Sequence, residues 1–424
     1  MKSTIAGVHA RRVWDSRGRP TVEAEVALAG GAHGRAIAPA GMSRGSREAI
    51  DLRDGGGRFG GLDVTQAIAG VEGPVAAALA GRDALDQDGI DATLIALDAT
   101  ANKARLGGNA TVAVSLAVAH AAAAARGLPL WRHLAGDEAV TLPLPQIQVF
   151  GGGAHAGRRI DVQDLMVVAT GAATFAEALA MTAEVYRAAG SLMQEAGALA
   201  GVADEGGWWP AFASNEEALA MLVRAIERAG YRPGADVAIA LDIAASEFGR
   251  DGVYRLGLEQ RALDRDAMGA MLLGWLDRYP IVSIEDPFAE NDRDGWIAFT
   301  RAAGGRVQIV GDDYLVTSAA RVAEAARERA CNAVLIKPNQ AGTVSETRAA
   351  LQAGKAAGFG TIVSARSGET EDVSIVHLAV GWNAGQLKVG SFARSERMAK
   401  WNEGLRIEEA LGGDAALARI KWGR

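Results

Sequence analysis

Short apolar runs recur at helix-length intervals through the second half of the chain. Residues 237–241, 282–284, 307–311 and 333–336 are dominated by Val, Ile, Leu and Ala, and runs that short and that rich in β-branched residues read as buried strands. Helical stretches separate them, so the pattern predicts the parallel strands of an α/β barrel, a fold whose C-terminal strand ends carry its chemistry. A charged residue closes each run. Asp242, Glu285 and Asp312 end three consecutive strands, and Lys337, Arg366 and Lys388 end the next three.

The first half patterns differently. Alternation across residues 5–28, interrupted by the turn-forming Asp15-Ser16-Arg17-Gly18-Arg19-Pro20, predicts a β-hairpin. Residues 38–45 contain Gly and Ser without periodicity and are read as a mobile loop. Helical spacing follows over 63–79 and 91–125, the second broken near Gly107 and Gly108, and the alanine-rich end of that stretch is expected to be tightly packed helix. A polar stretch opening at Gly136 and running into Leu142-Pro143-Leu144-Pro145 marks a boundary. The expected organisation is an N-terminal α+β capping domain, 1–138, and a barrel domain, 139–424. The barrel domain opens irregularly, with a glycine run around His155, a strand-like stretch at 160–168, a long amphipathic helix at 175–197 and a glycine-flanked loop bearing Glu205. The segment 393–412 returns to a charged helical pattern.

Composition narrows the function class. A chain of 424 residues with 49% apolar and 22% charged residues has material for a packed core. The net charge of −7 comes with scattered Lys and Arg, which argues against a nucleic-acid surface. No window supplies the roughly 20 apolar residues of a membrane span, and no basic leader precedes an apolar stretch, so a cytoplasmic enzyme without membrane partners is expected. The single cysteine, Cys331, excludes an intramolecular disulfide and a thiolate metal cluster.

Three acids at strand ends read as helix caps or ion-pair partners on the bland interpretation and as metal ligands on the chemical one. Three hard oxygen donors suit Mg²⁺, whereas the scarcity of Cys and His disfavours zinc. Lys337, ending a fully apolar strand beside that metal and near Lys388, is placed to lose its proton and serve as a general base. Arg366 and Ser367 offer a planar cation and a hydroxyl suited to phosphate or carboxylate. Glu205 is a candidate proton donor, and His155 a candidate substrate contact or a structural histidine.

On these residues the chain resembles the enolase family, the phosphopyruvate hydratases of glycolysis, from Ile5 to Gly412. The matching strings are DSRGRPT at 15–21, DEGG at 204–207, SEF at 246–248, YPIVSIEDP at 279–287, GDD at 311–313, LIKPNQ at 335–340, RSGETED at 366–372 and RSER at 394–397. The resemblance implies an α+β cap followed by an eight-stranded barrel that departs from regular alternation near its start. It implies that Asp242, Glu285 and Asp312 hold one Mg²⁺ and that Ser43, in the loop that closes over substrate, ligates a second. Lys337 is then the base that takes the proton α to the carboxylate, Lys388 steadies the resulting anion, and Glu205 is the acid that helps expel hydroxide. Arg366 and Ser367 bind phosphate, and His155, Gln163 and Asp164 line the substrate pocket. A homodimer is also implied, with Arg17 and Glu23 matching positions that pair across it with Glu409 and Arg406.

The departures are local. Ala365 stands where the family has histidine, Asp164 where it has glutamate, Gly151 where it has asparagine, and the loop reads Ala40-Gly41-Met42-Ser43-Arg44 in place of SGAST. The base, metal ligands and phosphate pair are kept, while the acid side and the loop are altered. The first reading is interconversion of 2-phosphoglycerate and phosphoenolpyruvate. The alternative is a paralogue acting on a modified phosphate or phosphonate, such as a carboxyphosphonoenolpyruvate synthase of phosphonate biosynthesis. A non-catalytic binding or structural role is disfavoured by the retained lysines and acids.

Overall fold

The computed structural model describes residues 2–42 and 44–423. Its first unit is a three-stranded antiparallel sheet of β1 (Ile5–Trp14), β2 (Pro20–Leu28) and β3 (His33–Ile37), in that order. The hairpin expected from the alternation closes with Trp14 opposite Pro20. The third strand was not legible in the sequence. Helix Gly108–Ala125 packs across this sheet and is buried along most of its length. Its run of alanines lets the sheet come close. A Cβ at Gly34 would stand 2.1 Å from the Ala121 amide nitrogen and 2.2 Å from the Ala117 carbonyl oxygen, so the backbones touch where a side chain would intervene. That helix is also the one stretch among the described residues long and apolar enough to cross a membrane, and 83% of it is buried inside the fold. The expected helix at 63–79 is instead Thr65–Gly70 and Ala76–Leu79, with a wider turn between them. Pro74, which has no N–H to donate, sits in that turn.

Eight strands close the barrel: β4 (Leu144–Gly151), β5 (Asp164–Val168), β8 (Ala238–Asp242), β12 (Ile281–Glu285), β13 (Gln308–Gly311), β14 (Ala333–Ile336), β15 (Gly360–Ser364) and β16 (Gly385–Ser391), the last pairing back onto β4. Two smaller pieces hang from this ring. One is the hairpin β6 (Leu199–Val202) and β7 (Trp208–Pro210), and the other the sheet β9 (Gly249–Arg250), β10 (Val253–Leu256) and β11 (Arg261–Asp264). Every barrel neighbour is parallel except β5, which runs antiparallel to both β4 and β8. The reversal has a chemical consequence. An antiparallel strand presents its first residue, Asp164, at the rim where its neighbours present their last, and Asp164 pairs with Asp242 in register.

Polar side chains cross the barrel interior. The Gln146 amide donates to Gln386 Oε1 at 2.7 Å, Gln386 donates to Gln308 Oε1 at 2.8 Å, and Gln308 donates to Ser283 Oγ at 3.1 Å. Amides buried that deeply are tolerated because each finds a partner. Cap and barrel are pinned together at Asp91, whose carboxylate accepts from Ser115 Oγ at 2.6 Å and from the Ser345 amide at 2.8 Å. Because β3 and the long helix meet backbone to backbone, Gly34→Ala is expected to cost about 1–3 kcal/mol by forcing them apart, read as a lower denaturation midpoint by urea titration.

Candidate active site

Asp242 and Glu285 are the last residues of β8 and β12, Asp312 and Lys337 directly follow β13 and β14, Arg366 lies two beyond β15, and Lys388 lies within β16. Parallel strands put all six at one mouth, and all six are buried. Lys388 Nζ sits among the acids, 2.8 Å from Asp242 Oδ2, 2.9 Å from both Glu285 oxygens and 3.3 Å from Asp164 Oδ2. Lys337 Nζ bonds Asp312 Oδ2, whose other oxygen accepts from the Gln340 amide at 2.9 Å. The Gln163 amide adds a bond to Asp242 at 3.1 Å.

The electrostatics follow from burial and crowding. Burial first, and the Asp242 charge second, push the Glu285 carboxyl well above the ordinary range. Burial works against the Lys388 ammonium, but Asp242 and Glu285 outweigh it and hold the proton firmly. Lys337 behaves likewise. Burial is the largest influence and lowers its pKa, Arg366 and Lys388 lower it further, and Asp312 together with Glu285 brings it above its ordinary value. The sequence reading expected Lys337 to be lowered. Among the protein's own groups it is raised, because Asp312 is its direct partner.

Arg366 and Ser367 form one end of the cavity. Arg366 Nη1 lies 2.9 Å from Glu48 Oε2 and 2.9 Å from Asn339 Oδ1. Gly41 crosses this guanidinium so closely that a Cβ there would stand 1.9 Å from Nη2, so a side chain at 41 would have to displace either the loop or the guanidinium from Glu48. Ser43, expected to ligate metal, lies outside the described residues. The cavity brings Gly41, Met42 and Ala365 together with the predicted residues, although Glu285 and Asp312 are not on its wall.

At the other end His155, Asp164 and Glu205 converge. His155 Nδ1 is 3.8 Å from Asp164 Oδ1 and 3.8 Å from Glu205 Oε1, beyond hydrogen-bond reach, and neither ring nitrogen has a protein partner although both are buried. Burial lowers the imidazole's pKa, yet the Glu205 and Asp164 carboxylates outweigh it and raise it overall. The Gln148 amide donates to Asp164 Oδ1 and accepts from the Gly207 amide at 2.9 Å, which fixes the Glu205 loop relative to β5. At Gly151, a Cβ would lie 2.5 Å from that of Ala203, so the family's asparagine has no room here without a shift of the loop.

The geometry brings together every predicted site residue among the described ones. Glu48, Asn339 and Gln148 were missed. Glu48 sits in a charged segment with no local pattern, and Gln148 lies inside a strand where a buried polar residue was its only signal. Two compact acid groups also stand out among the described residues, His155–Asp164–Glu205 and Asp286–Asp312–Asp313, each with ligand atoms within 4.8 Å of one another. The Asp242–Glu285–Asp312 set is not one of them, and lysines bridge its members.

An enolase N-terminal domain family model matches residues 5–134, and an enolase C-terminal TIM-barrel domain model matches residues 139–423. The chain belongs to the enolase family. It is 50% identical over 414 residues to the protein named Enolase 1 of Desulfitobacterium hafniense (strain Y51), covering 97% of this chain and 95% of that one. Membership makes it an enolase-type lyase and implies a divalent metal and a small phosphorylated carboxylate substrate. The residues present fit the metal. Asp242, Glu285 and Asp312 are buried hard-oxygen donors, and with Asp164 they outnumber the two lysines that pair with them, Lys337 and Lys388. Lys388→Met would leave Asp242 and Glu285 buried without their ammonium, at an expected cost of about 3–5 kcal/mol. Thermal unfolding should show the loss, and added Mg²⁺ should recover more stability in the variant than in the parent.

Proposed function

We propose that Lys337 is the base and Glu205 the acid of the enolase reaction in this chain, interconverting 2-phosphoglycerate and phosphoenolpyruvate. The observation that carries the assignment is positional. β5, which bears Asp164, stands four strands from β14 in either direction around the ring, so the His155–Asp164–Glu205 end faces the Lys337 end across the cavity. Elimination needs that arrangement, a base on the carbon that loses its proton and an acid at the departing oxygen.

Arg366 and Ser367 bind the phosphate, and Lys388 and Lys337 face the carboxylate. Lys337 takes the proton α to the carboxylate and the electron pair moves onto the carboxylate; the pair then returns to form the carbon–carbon double bond as the hydroxyl at the next carbon leaves as water with a proton from Glu205. With Asp312 committed to a divalent cation, Lys337 keeps Arg366 and Lys388 as charged neighbours, and both favour its neutral form. Asp242, Glu285 and Asp312 would hold Mg²⁺, whose charge offsets the negative charge that builds on the substrate carboxylate. A second Mg²⁺ accompanies substrate and is assigned to Ser43. His155 and Gln163 contact the substrate, and Asp164 holds Lys388 and Gln148 in place. The capping role of residues 1–138, the catalytic role of 139–424 and a cytoplasmic location belong to the same proposal.

The phosphonate alternative is the less favoured reading. Both family models and the identity over nearly the whole chain point to enolase, and the phosphate-binding pair is retained. Following enol-product absorbance with Mg²⁺ and 2-phosphoglycerate, Lys337→Ala should lose at least about a thousandfold in kcat, and chelation of divalent metal should abolish turnover. A folded, metal-binding parent without turnover would overturn the substrate assignment.

A homodimer completes the proposal. Arg406, although paired with Glu403 at 2.9 Å, keeps a side chain 65% exposed and open to a partner's carboxylate, whereas Glu23 and Arg17 are buried and already bonded within the chain. Light scattering at micromolar concentration should give twice the chain mass, and a single-chain mass would reject the dimer.

A further inference from the structure

The turn between β1 and β2 belongs to the cap, yet one of its side chains reaches the phosphate end of the barrel. The Arg17 side chain is only 7% exposed. Its Nη1 donates to Ser367 Oγ at 3.2 Å, and its Nη2 donates to the Ala40 carbonyl at 2.9 Å and lies 3.4 Å from Asp15 Oδ2. Ser367 Oγ also accepts from the Met42 amide at 3.0 Å. The same region is tied by the backbone. Ala40 and Gly368 exchange hydrogen bonds of 2.8 and 2.9 Å, and the Ser16 amide donates to the Glu369 carbonyl at 2.8 Å.

A serine hydroxyl has one donor and two acceptor positions. At Ser367 both acceptor positions are taken, one by Arg17 and one by Met42, and no protein acceptor takes its proton among the described residues. The hydroxyl is left to donate into the cavity, which is the polarity an anionic oxygen requires and a cation or an N–H donor would not meet. The same guanidinium grips the Ala40 carbonyl, immediately before the loop that crosses Arg366. We propose that Arg17 is a positioning residue for the phosphate group: it fixes Ser367 as a hydrogen-bond donor and anchors Ala40, next to the Gly41 that lies over Arg366. The proposal rests on the assignment of Arg366 and Ser367 to phosphate. It does not depend on which phosphorylated acid is turned over.

The test is a double-mutant cycle on the full chain with Arg17→Gln, Arg17→Lys, Ser367→Ala and Arg17→Gln/Ser367→Ala. For the reaction of 2-phosphoglycerate, Arg17→Gln is expected to raise KM, and the inhibition constant of inorganic phosphate, about tenfold to a hundredfold, as loss of a charged hydrogen-bond partner does. The accompanying change in kcat should stay within about threefold, because the reacting carbons are not touched. Arg17→Lys should recover part of the loss. In the Ser367→Ala background the Arg17→Gln change should cost clearly less than it does alone, since only the Ala40 contact is then left to lose. Full additivity, or an unchanged KM in a folded Arg17→Gln protein, overturns the proposal. So does the same KM rise in parent protein diluted to single chains, which would assign the effect to assembly. If the parent does not turn over 2-phosphoglycerate, the substrate assignment fails separately. Thermal stabilisation by inorganic phosphate then decides: its presence in the parent and loss in both Arg17→Gln and Ser367→Ala supports the role, and its retention in Arg17→Gln rejects it.

Discussion

The balance of charge at the barrel mouth is the constraint on which the rest of this structure depends. Asp164, Asp242, Glu285 and Asp312 are buried within reach of Lys337 and Lys388. Taking that many ions out of water is costly unless each finds a counter-charge or a hydrogen bond. The lysines and the amides of Gln148, Gln163 and Gln340 provide most of the compensation, and four carboxylates against two lysines leave negative charge over. A divalent cation fits that remainder. The same crowding sets the surroundings of Lys337, whose ammonium bonds Asp312 and faces Arg366 and Lys388.

Holding these ions in place requires a rigid frame, and the barrel supplies one. Its interior glutamines bond to one another, so the polar floor beneath the site is self-satisfied. The reversed strand β5 is the decisive piece of topology. Running parallel, it would carry Asp164 to the far rim; running antiparallel, it sets Asp164 beside Asp242 and leaves the β4–β5 connection, with His155, above the cavity. The cap then closes the other end. Arg17, Gly41 and Glu48 all come from it, and each touches the Arg366–Ser367 pair or its loop. The Arg366–Ser367 end of the cavity is therefore built at the junction of cap and barrel.

The departures from the family pattern have local physical readings. Gly151 is matched by Ala203, which occupies the space a larger side chain would need. Asp164 reaches Lys388 and Gln148 despite its shorter side chain, because its register against Asp242 carries it to the rim. Ala365 lines the cavity and leaves room there. These changes sit around the acid and phosphate ends, while the lysine and carboxylate wheel is untouched.

The sequence by itself determined the strands from β8 through β12 and β13 to β14, the charges that close them, and the hairpin, because short β-branched runs and strict alternation are local signals set by burial on two faces or one. By contrast, β4 was not legible, and Lys388 proved to lie inside β16 and not at its end. The motif strings fixed the family, and with it the candidate base, acid, metal ligands and phosphate pair. What only the tertiary structure decided was which groups meet. Nothing near Glu48 in the chain points to Arg366, nothing near Arg17 points to Ser367, and Gln148 reads as one more strand residue until Asp164 and Gly207 arrive beside it. The state of Lys337 was likewise out of reach, since it depends on Asp312 25 residues away. Side-chain pairing between segments distant in sequence carries no periodic signature, because it is fixed by how the chain closes on itself.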